Sequence, residues 1–150
     1  MKVRRAAIRD LQSLIEFTSC EAEEAEGIAT SPEKLETGIK LALEDETKAI
    51  YWVLVDGSDV PVGNVSALKE WSDWNSGYYW WIQSMYIDPA YRGKNYMALL
   101  LAAVKQEMDE QNGLELRLYV HEKNHAAIRA YRRSNFRDTN YKIMVLHQDA

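Results

Sequence analysis

Residues 79–120 contain a strand, an amphipathic helix and a second strand, in that order. Tyr79 to Ile87 is a mostly aromatic and apolar run, and Asp88-Pro89 ends it. The helix that follows Gly93 has its apolar residues on one face, and these are Met97, Leu100, Leu101, Val104 and Met108. Leu114 to Val120 predicts the second strand. Because such a unit places its two strands side by side and parallel, the fold must contain a parallel strand pair crossed by a helix.

The other segments extend this unit into a single predicted domain over residues 1–150. Further strands are predicted at residues 2–6, 49–55, 60–68 and 142–146. The residues suited to begin a helix are Asp10, Ser31 and Asn124, and those suited to end one are Gly27 and Gly113. The predicted order is β-α-α-β-β-β-α-β-α-β. It indicates an α/β fold whose central mixed, mostly antiparallel sheet has helices on both faces.

Composition excludes several classes of protein. The longest apolar stretch, residues 97–104, is far shorter than the roughly 20 residues that span a bilayer, so we expect no membrane partner. The net charge of −5 argues against nucleic acid as a partner. Cys20 is the only cysteine, which excludes an internal disulfide and a multi-cysteine metal site and favours a reducing, cytoplasmic location.

Charge is distributed unevenly along the chain. Residues 21–46 carry nine acidic and two basic side chains, whereas residues 115–142 carry seven basic and three acidic ones. One end is therefore suited to a cation and the other to an anion. Two solvated helix faces would give the same pattern.

The turn between the strand and the helix of the β-α-β unit is basic. Arg92 and Lys94 lie directly before the first turn of the helix, where backbone N–H groups lack partners inside the helix. Such a helix start binds phosphate. The segment lacks the Walker and the Gly-x-Gly-x-x-Gly patterns. A tight connection between strand and helix is the alternative interpretation.

At these residues the chain resembles the GNAT superfamily of N-acetyltransferases. The family's pyrophosphate loop, Arg/Gln-x-x-Gly-x-Gly/Ala, matches the residues from Arg92 to Met97. A second motif, Asn-x-x-Ala-x-x-x-Tyr followed by Gly-Phe, aligns with Asn124, Ala127, Tyr131 and Asn135-Phe136, with Asn135 in place of Gly. Two departures lie in the loop, where Asn95 and Met97 stand in place of small residues. Asn tolerates the left-handed conformation and can also cap a helix, while Met97 lies on the apolar face.

The resemblance implies acetyl-CoA as cosubstrate and no metal. Backbone groups of one strand would hold the pantetheine arm and polarise the thioester, at Met85, Tyr86 and Ile87. The pyrophosphate would lie on Arg92, Gly93, Lys94, Asn95, Tyr96 and Met97. Asn124 would contact coenzyme A, and Tyr131 would protonate the departing thiolate. In this family the amine attacks directly, without an acyl-enzyme.

The acceptor side is predicted from acids and tryptophans. A carboxylate commonly receives the proton of the attacking amine, and Glu24 and Glu26 are the candidates. Trp71 and Trp74, together with Asp73, form an aromatic and acidic segment suited to hold an ammonium group. We therefore expect a small cationic amine as acceptor. The acids could equally be solvated, and the tryptophans could form a homodimer contact.

Two other classes of function fit the same sequence. One is a non-catalytic acyl-CoA-binding or regulatory module on the same fold, which the replacement of Gly by Asn95 makes plausible. The other is an interaction protein that binds a partner chain through the acidic helices and tryptophans. Phosphate-loop chemistry separates the first from the second, and Tyr131 separates an enzyme from a binding module.

Overall fold

A computed structural model describes residues 1–148 and contains one five-stranded sheet. In chain order the strands are β1 (Lys2–Arg5), β2 (Ile50–Val55), β3 (Pro61–Ser72), β4 (Gly77–Ile87) and β5 (Leu116–Leu118). The same order holds across the sheet. The first three neighbouring pairs are antiparallel, and β4 and β5 are parallel, with Trp80 opposite Leu116 and Ile82 opposite Leu118. The predicted mixed, mostly antiparallel sheet and its parallel pair are confirmed.

Helices cover both faces of the sheet. They are α1 (Leu11–Glu26), α2 (Pro32–Glu44), α3 (Tyr96–Glu110) and α4 (His125–Arg133). Alternation along β2 sends Tyr51 and Val53 into a core with α1 and α2, and sends Trp52 and Leu54 into a core with α3. The mixed α/β architecture is thereby confirmed. Within residues 1–148 no helix is both long and apolar enough to cross a membrane.

Several predicted helix ends are confirmed. Gly27 ends α1 in the left-handed conformation with a φ of 65°. The Ser31 hydroxyl accepts the N–H of Lys34 at 3.4 Å, and Asn124 Oδ1 accepts the N–H of Ala127 at 3.2 Å. These side chains satisfy N–H groups that have no partner inside the helix. At the end of α3 the prediction of Gly113 is wrong, because Asn112 takes the left-handed conformation with a φ of 57°.

Asp10 does not cap α1 as the sequence predicts. Its carboxylate instead accepts the N–H of Ala7 at 2.7 Å and two hydrogen bonds from the Arg4 guanidinium at 2.8 and 3.0 Å. Asp10 is only 3% exposed. Burial alone would raise the pKa of Asp10, but the bonds from Arg4 and Ala7 hold that pKa below its ordinary value. The residue therefore fixes the end of β1 to the start of α1.

The predicted closing strand at residues 142–146 is wrong, because this segment forms no strand in the structure. Met144 is 93% and Leu146 98% exposed. β5 is also shorter than the predicted 114–120, so its free edge offers only three residues for pairing. An apolar, β-branched run becomes a strand only where a neighbouring strand provides hydrogen bonds and packing. Here the neighbour is too short.

We expect Asp10→Asn to lower the free energy of unfolding by about 2–4 kcal/mol at pH 7, because it leaves the buried side of Arg4 without its countercharge. The measurement is urea denaturation. Asp59→Asn is the matched control, since Asp59 also pairs with Arg4 at 2.8 Å but its side chain is 43% exposed. A loss in the control as large as that in Asp10→Asn would contradict the assignment.

Candidate active site

β4 parts from β5 in the middle of its length. The parallel pairing covers only Trp80 to Ile82, and β4 continues for five more residues without a partner on that side. A bulge lies where the pairing stops, because Ser66 is opposite Ser84 and Ala67 is opposite Ile82, which leaves Gln83 without a partner on β3. The result is a gap between two diverging strands.

The backbone N–H groups of Met85 and Ile87 point into this gap. Asp88 donates its N–H to Val62 on the β3 side at 2.9 Å. Since successive residues of a strand point to opposite sides, Met85 and Ile87 present theirs to the side that β5 has left. The carbonyl of Ile87, on the same side, accepts the Nε–H of Arg92 at 2.7 Å.

The turn after β4 delivers an uncapped helix start to the same edge. Gly93 and Asn95 both have positive φ, at 81° and 60°, which confirms the left-handed conformation expected of Asn95. Its predicted cap is not formed, because the Asn95 side chain makes no hydrogen bond to α3. Met97 packs against the core, as expected. The first N–H groups of α3 therefore have no side chain covering them.

Arg92 is held by two other groups of the protein. Its Nη2 donates to the Glu24 carboxylate at 2.9 Å, and its guanidinium lies 5.1 Å from the centre of the Tyr86 ring. Glu24, one of the two predicted bases, is thus an ion-pair partner of the predicted phosphate-binding arginine. The role of Glu24 as base stays a prediction.

A cleft of about 2110 Å³ extends from the gap past the start of α3 to α4. It is larger than the 300–1,000 Å³ of an ordinary small-ligand pocket. Of the predicted site residues it brings together Ile87, Arg92, Gly93, Asn95, Tyr96, Met97 and Tyr131. It does not include Met85, Tyr86, Lys94 or Asn124 in its lining. The Tyr86 ring is instead stacked on Phe17 of α1, with 5.6 Å between ring centres.

Tyr131 reaches the cleft from α4. Its ring packs edge to face on Phe136 at 5.6 Å, and Phe136 folds back because Asn135 adopts the left-handed conformation with a φ of 70°. Burial and the nearby charge of Glu21 raise the pKa of Tyr131 to about 12. The hydroxyl therefore stays protonated at neutral pH.

Glu21 is the residue that the sequence reasoning missed. One of its carboxylate oxygens accepts the N–H of Met85 at 3.1 Å. Burial and the charge of Glu26 raise the pKa of Glu21 to about 8, although the bond from Met85 lowers it. The available signal was its position, seven residues after Leu14, which continues the apolar face of α1. A carboxylate on that face turns inward, whereas Glu24 and Glu26 lie on the exposed side.

Trp71, Asp73 and Trp74 lie at the other end of β4. Trp71 belongs to β3 and pairs with Tyr78, and Asp73 and Trp74 lie in the turn that follows. Eight residues of strand separate Gly77 from Met85, which corresponds to about 26 Å. Within one chain these three residues lie far from Met85, and their role at the acceptor stays a prediction. A dimer contact through Trp74, which is 87% exposed, stays a prediction.

The described part of the chain holds no convergent set of metal ligands. No three His, Cys, Asp or Glu side chains within residues 1–148 lie close enough together to bind a metal ion. Two interactions link the polar groups of this region. Glu21 accepts the N–H of Met85, and the charge of Glu21 raises the pKa of Tyr131.

Comparison with known proteins places this chain in a family. The model of the acetyltransferase (GNAT) family matches residues 11–136. No curated protein matches the chain. The crystal structure of a possible acetyltransferase from Clostridium difficile 630 is 32% identical with a TM-score of 0.92, covering 99% of this chain and 98% of that one.

Two further solved structures share the fold at lower identity. A predicted acetyltransferase from Clostridium acetobutylicum, solved with acetyl-CoA, is 18% identical with a TM-score of 0.80 over 97% of this chain and 95% of that one. A ribosomal-protein-alanine N-acetyltransferase from Brucella melitensis biovar Abortus 2308 is 14% identical with a TM-score of 0.79 over 99% and 100%. From the family match and the nearly full-length structural agreement, we conclude that this chain belongs to the GNAT family of acetyltransferases.

Proposed function

We propose that this chain transfers the acetyl group of acetyl-CoA to the primary amine of a small cationic molecule. The amine attacks the thioester directly, and no acyl-enzyme forms. The observation that carries the proposal is the parting of β4 from β5 immediately before the uncapped start of α3. This places free backbone donors for a thioester arm next to a helix start suited to its pyrophosphate.

The residues of the gap fit the shape and charge of acetyl-CoA. The left-handed Gly93 and Asn95 turn the backbone so that the first N–H groups of α3 face the cleft, where they would hold phosphate oxygens. The N–H groups of Met85 and Ile87 would bind the arm along the edge of β4. A backbone donor beside the thioester carbonyl stabilises the negative charge that develops on its oxygen.

The expected cationic acceptor is supported by the acids at the end of α1. Glu21 and Glu26 lie close enough for the charge of Glu26 to raise the pKa of Glu21. The negative charge of Glu26 attracts an ammonium group and repels an anionic acceptor. Tyr131 would supply the proton to the departing thiolate. The free Cys20 thiol supports a reducing compartment, and we extend the proposal to a cytoplasmic enzyme.

The direct test measures thiol release from acetyl-CoA with polyamines, amino acids, aminoglycosides and peptides as acceptors. We expect kcat/KM to be highest for a diamine, lower for its mono-amine analogue and lowest for an acidic amino acid. A preference for the acidic acceptor would contradict the cationic assignment. Tight acetyl-CoA binding without thiol release for any acceptor would instead favour the acyl-CoA-binding module.

Asn95→Gly tests the phosphate loop. We expect acetyl-CoA to bind equally well or more tightly, because Gly adopts the left-handed conformation without strain and lets the pyrophosphate approach the backbone. Calorimetry measures the dissociation constant. Asn112→Gly is the matched control, since Asn112 has a similar φ of 57° at the other end of α3, remote from the loop. A large loss of affinity confined to Asn95→Gly would show that the Asn95 side chain itself contacts the ligand.

Tyr131→Phe tests the general acid. We expect kcat to fall about 10²–10⁴-fold, the usual contribution of a positioned proton donor, while the dissociation constant of acetyl-CoA stays nearly constant. Tyr78→Phe serves as the control, because Tyr78 packs on Trp71 at the far end of β4. An unchanged kcat at saturation would limit Tyr131 to a packing role.

A further inference from the structure

We propose that Glu21 is the general base of this transferase and that the thioester carbonyl activates it by taking over the N–H of Met85. The inference rests on the proposed function. In the structure the Glu21 carboxylate, 3.1 Å from the Met85 nitrogen, occupies the donor that the thioester oxygen requires. A single N–H has room for one strong acceptor, so the carbonyl oxygen and the carboxylate exclude each other.

The displaced carboxylate stays beside the reacting carbon. A carbonyl oxygen bound to the Met85 N–H lies about 2.9 Å from the nitrogen, and its carbon lies about 1.2 Å farther out. Glu21 is anchored on α1, whose residues Leu14 and Phe17 are buried against the sheet, so the helix does not move away. Rotation about the side-chain bonds of Glu21 moves its carboxylate oxygens by a few ångströms. This brings them to the amine nitrogen that attacks the carbonyl carbon.

The groups around Glu21 favour a proton acceptor. Tyr51 faces it from β2, Tyr131 faces it from α4, and Glu26 follows it on α1. None of the ion pairs formed within residues 1–148 includes Glu21. The N–H of Met85 stabilises the charged carboxylate, and losing this bond to the thioester makes Glu21 more basic. Glu21 thus becomes a stronger base when the thioester binds.

The proton balance closes between Glu21 and Tyr131. The neutral amine forms the C–N bond, the carbonyl electron pair moves onto oxygen at the Met85 N–H, and a proton of the nitrogen passes to Glu21. The carbonyl then re-forms as the C–S bond breaks, and Tyr131 gives its proton to the departing sulfur. Glu21 afterwards returns its proton to the Tyr131 phenolate. Amine and acetyl-CoA become amide and coenzyme A, with both side chains restored.

The first test measures binding and needs no turnover. We expect Glu21→Ala to lower the dissociation constant of acetyl-CoA about 2–12-fold relative to that of free coenzyme A, which is the range of one net hydrogen bond. Free coenzyme A lacks the carbonyl that competes for Met85. Glu23→Ala, an exposed neighbour on α1, is the control. An equal effect of Glu21→Ala on both ligands would overturn the exchange.

The second test measures the pH dependence of kcat. In wild type we expect kcat to rise with pH around the ionisation of Glu21, near pH 8 or above it, at the same pH for two acceptors whose amine pKa values differ. Glu21→Gln should remove this rise of kcat with pH and lower kcat about 10²–10⁴-fold. Glu23→Gln should keep the rise and the kcat of wild type. A Glu21→Gln variant that retains the rise would overturn the role as base.

The two tests also separate this inference from the proposed function. If wild type transfers acetyl groups and Glu21→Gln is fully active, the base role of Glu21 is refuted and the proposed function stands. If wild type transfers to no acceptor, the proposed function and the base role both fail. The ratio of acetyl-CoA to coenzyme A binding then still decides whether the thioester displaces Glu21 from Met85.

Discussion

The site depends on one extra residue in β4. The bulge at Gln83 stops the parallel pairing with β5 and reverses which backbone groups face outward. Without the bulge, β4 would continue beside β5, and the N–H groups of Met85 and Ile87 would form hydrogen bonds within the sheet. The gap, the donors in it and the approach to α3 all follow from this single irregularity in the register.

The two faces of the sheet contribute different groups to this gap. On the α3 side lie the backbone donors and left-handed turn that suit phosphate, while α1 on the opposite face carries Glu21 to the edge of β4. Tyr131 of α4 lines the cleft, and the charge of Glu21 raises its pKa. A thioester held between the strands would therefore be open to an amine on the α1 side. In the proposed reaction the sheet would separate the cosubstrate from the acceptor except at Met85.

Periodicity and turn chemistry were enough to predict the fold. The parallel pair and the left-handed Asn95 depend on local rules, and the structure confirms them. The errors concern tertiary partners. Asp10 binds Arg4 instead of the helix, and residues 142–146 lack a long enough neighbouring strand. A local pattern does not reveal which partner a side chain or a strand will find.

The same distinction applies at the site. The acids that flank Trp71 and Trp74 in sequence favour a role at the acceptor, but the length of β4 separates both tryptophans from Met85. Composition alone does not distinguish Glu21 from the other acids among the nine in residues 21–46. What distinguishes it is the helix face on which it lies, together with the backbone group opposite. The bulge that brings Met85 there involves a partner strand and has no signature within β4 itself.

The ion pair between Arg92 and Glu24 gives the phosphate loop an internal counterion. An anion that binds Arg92 displaces a carboxylate attached to the protein instead of a dissolved ion. Exchange of one bound negative charge for another changes the ion atmosphere little, so added salt has less to screen at this arginine. The contribution of Arg92 to affinity should then vary less with ionic strength than that of an unpaired surface base such as Lys94, which forms no ion pair within residues 1–148.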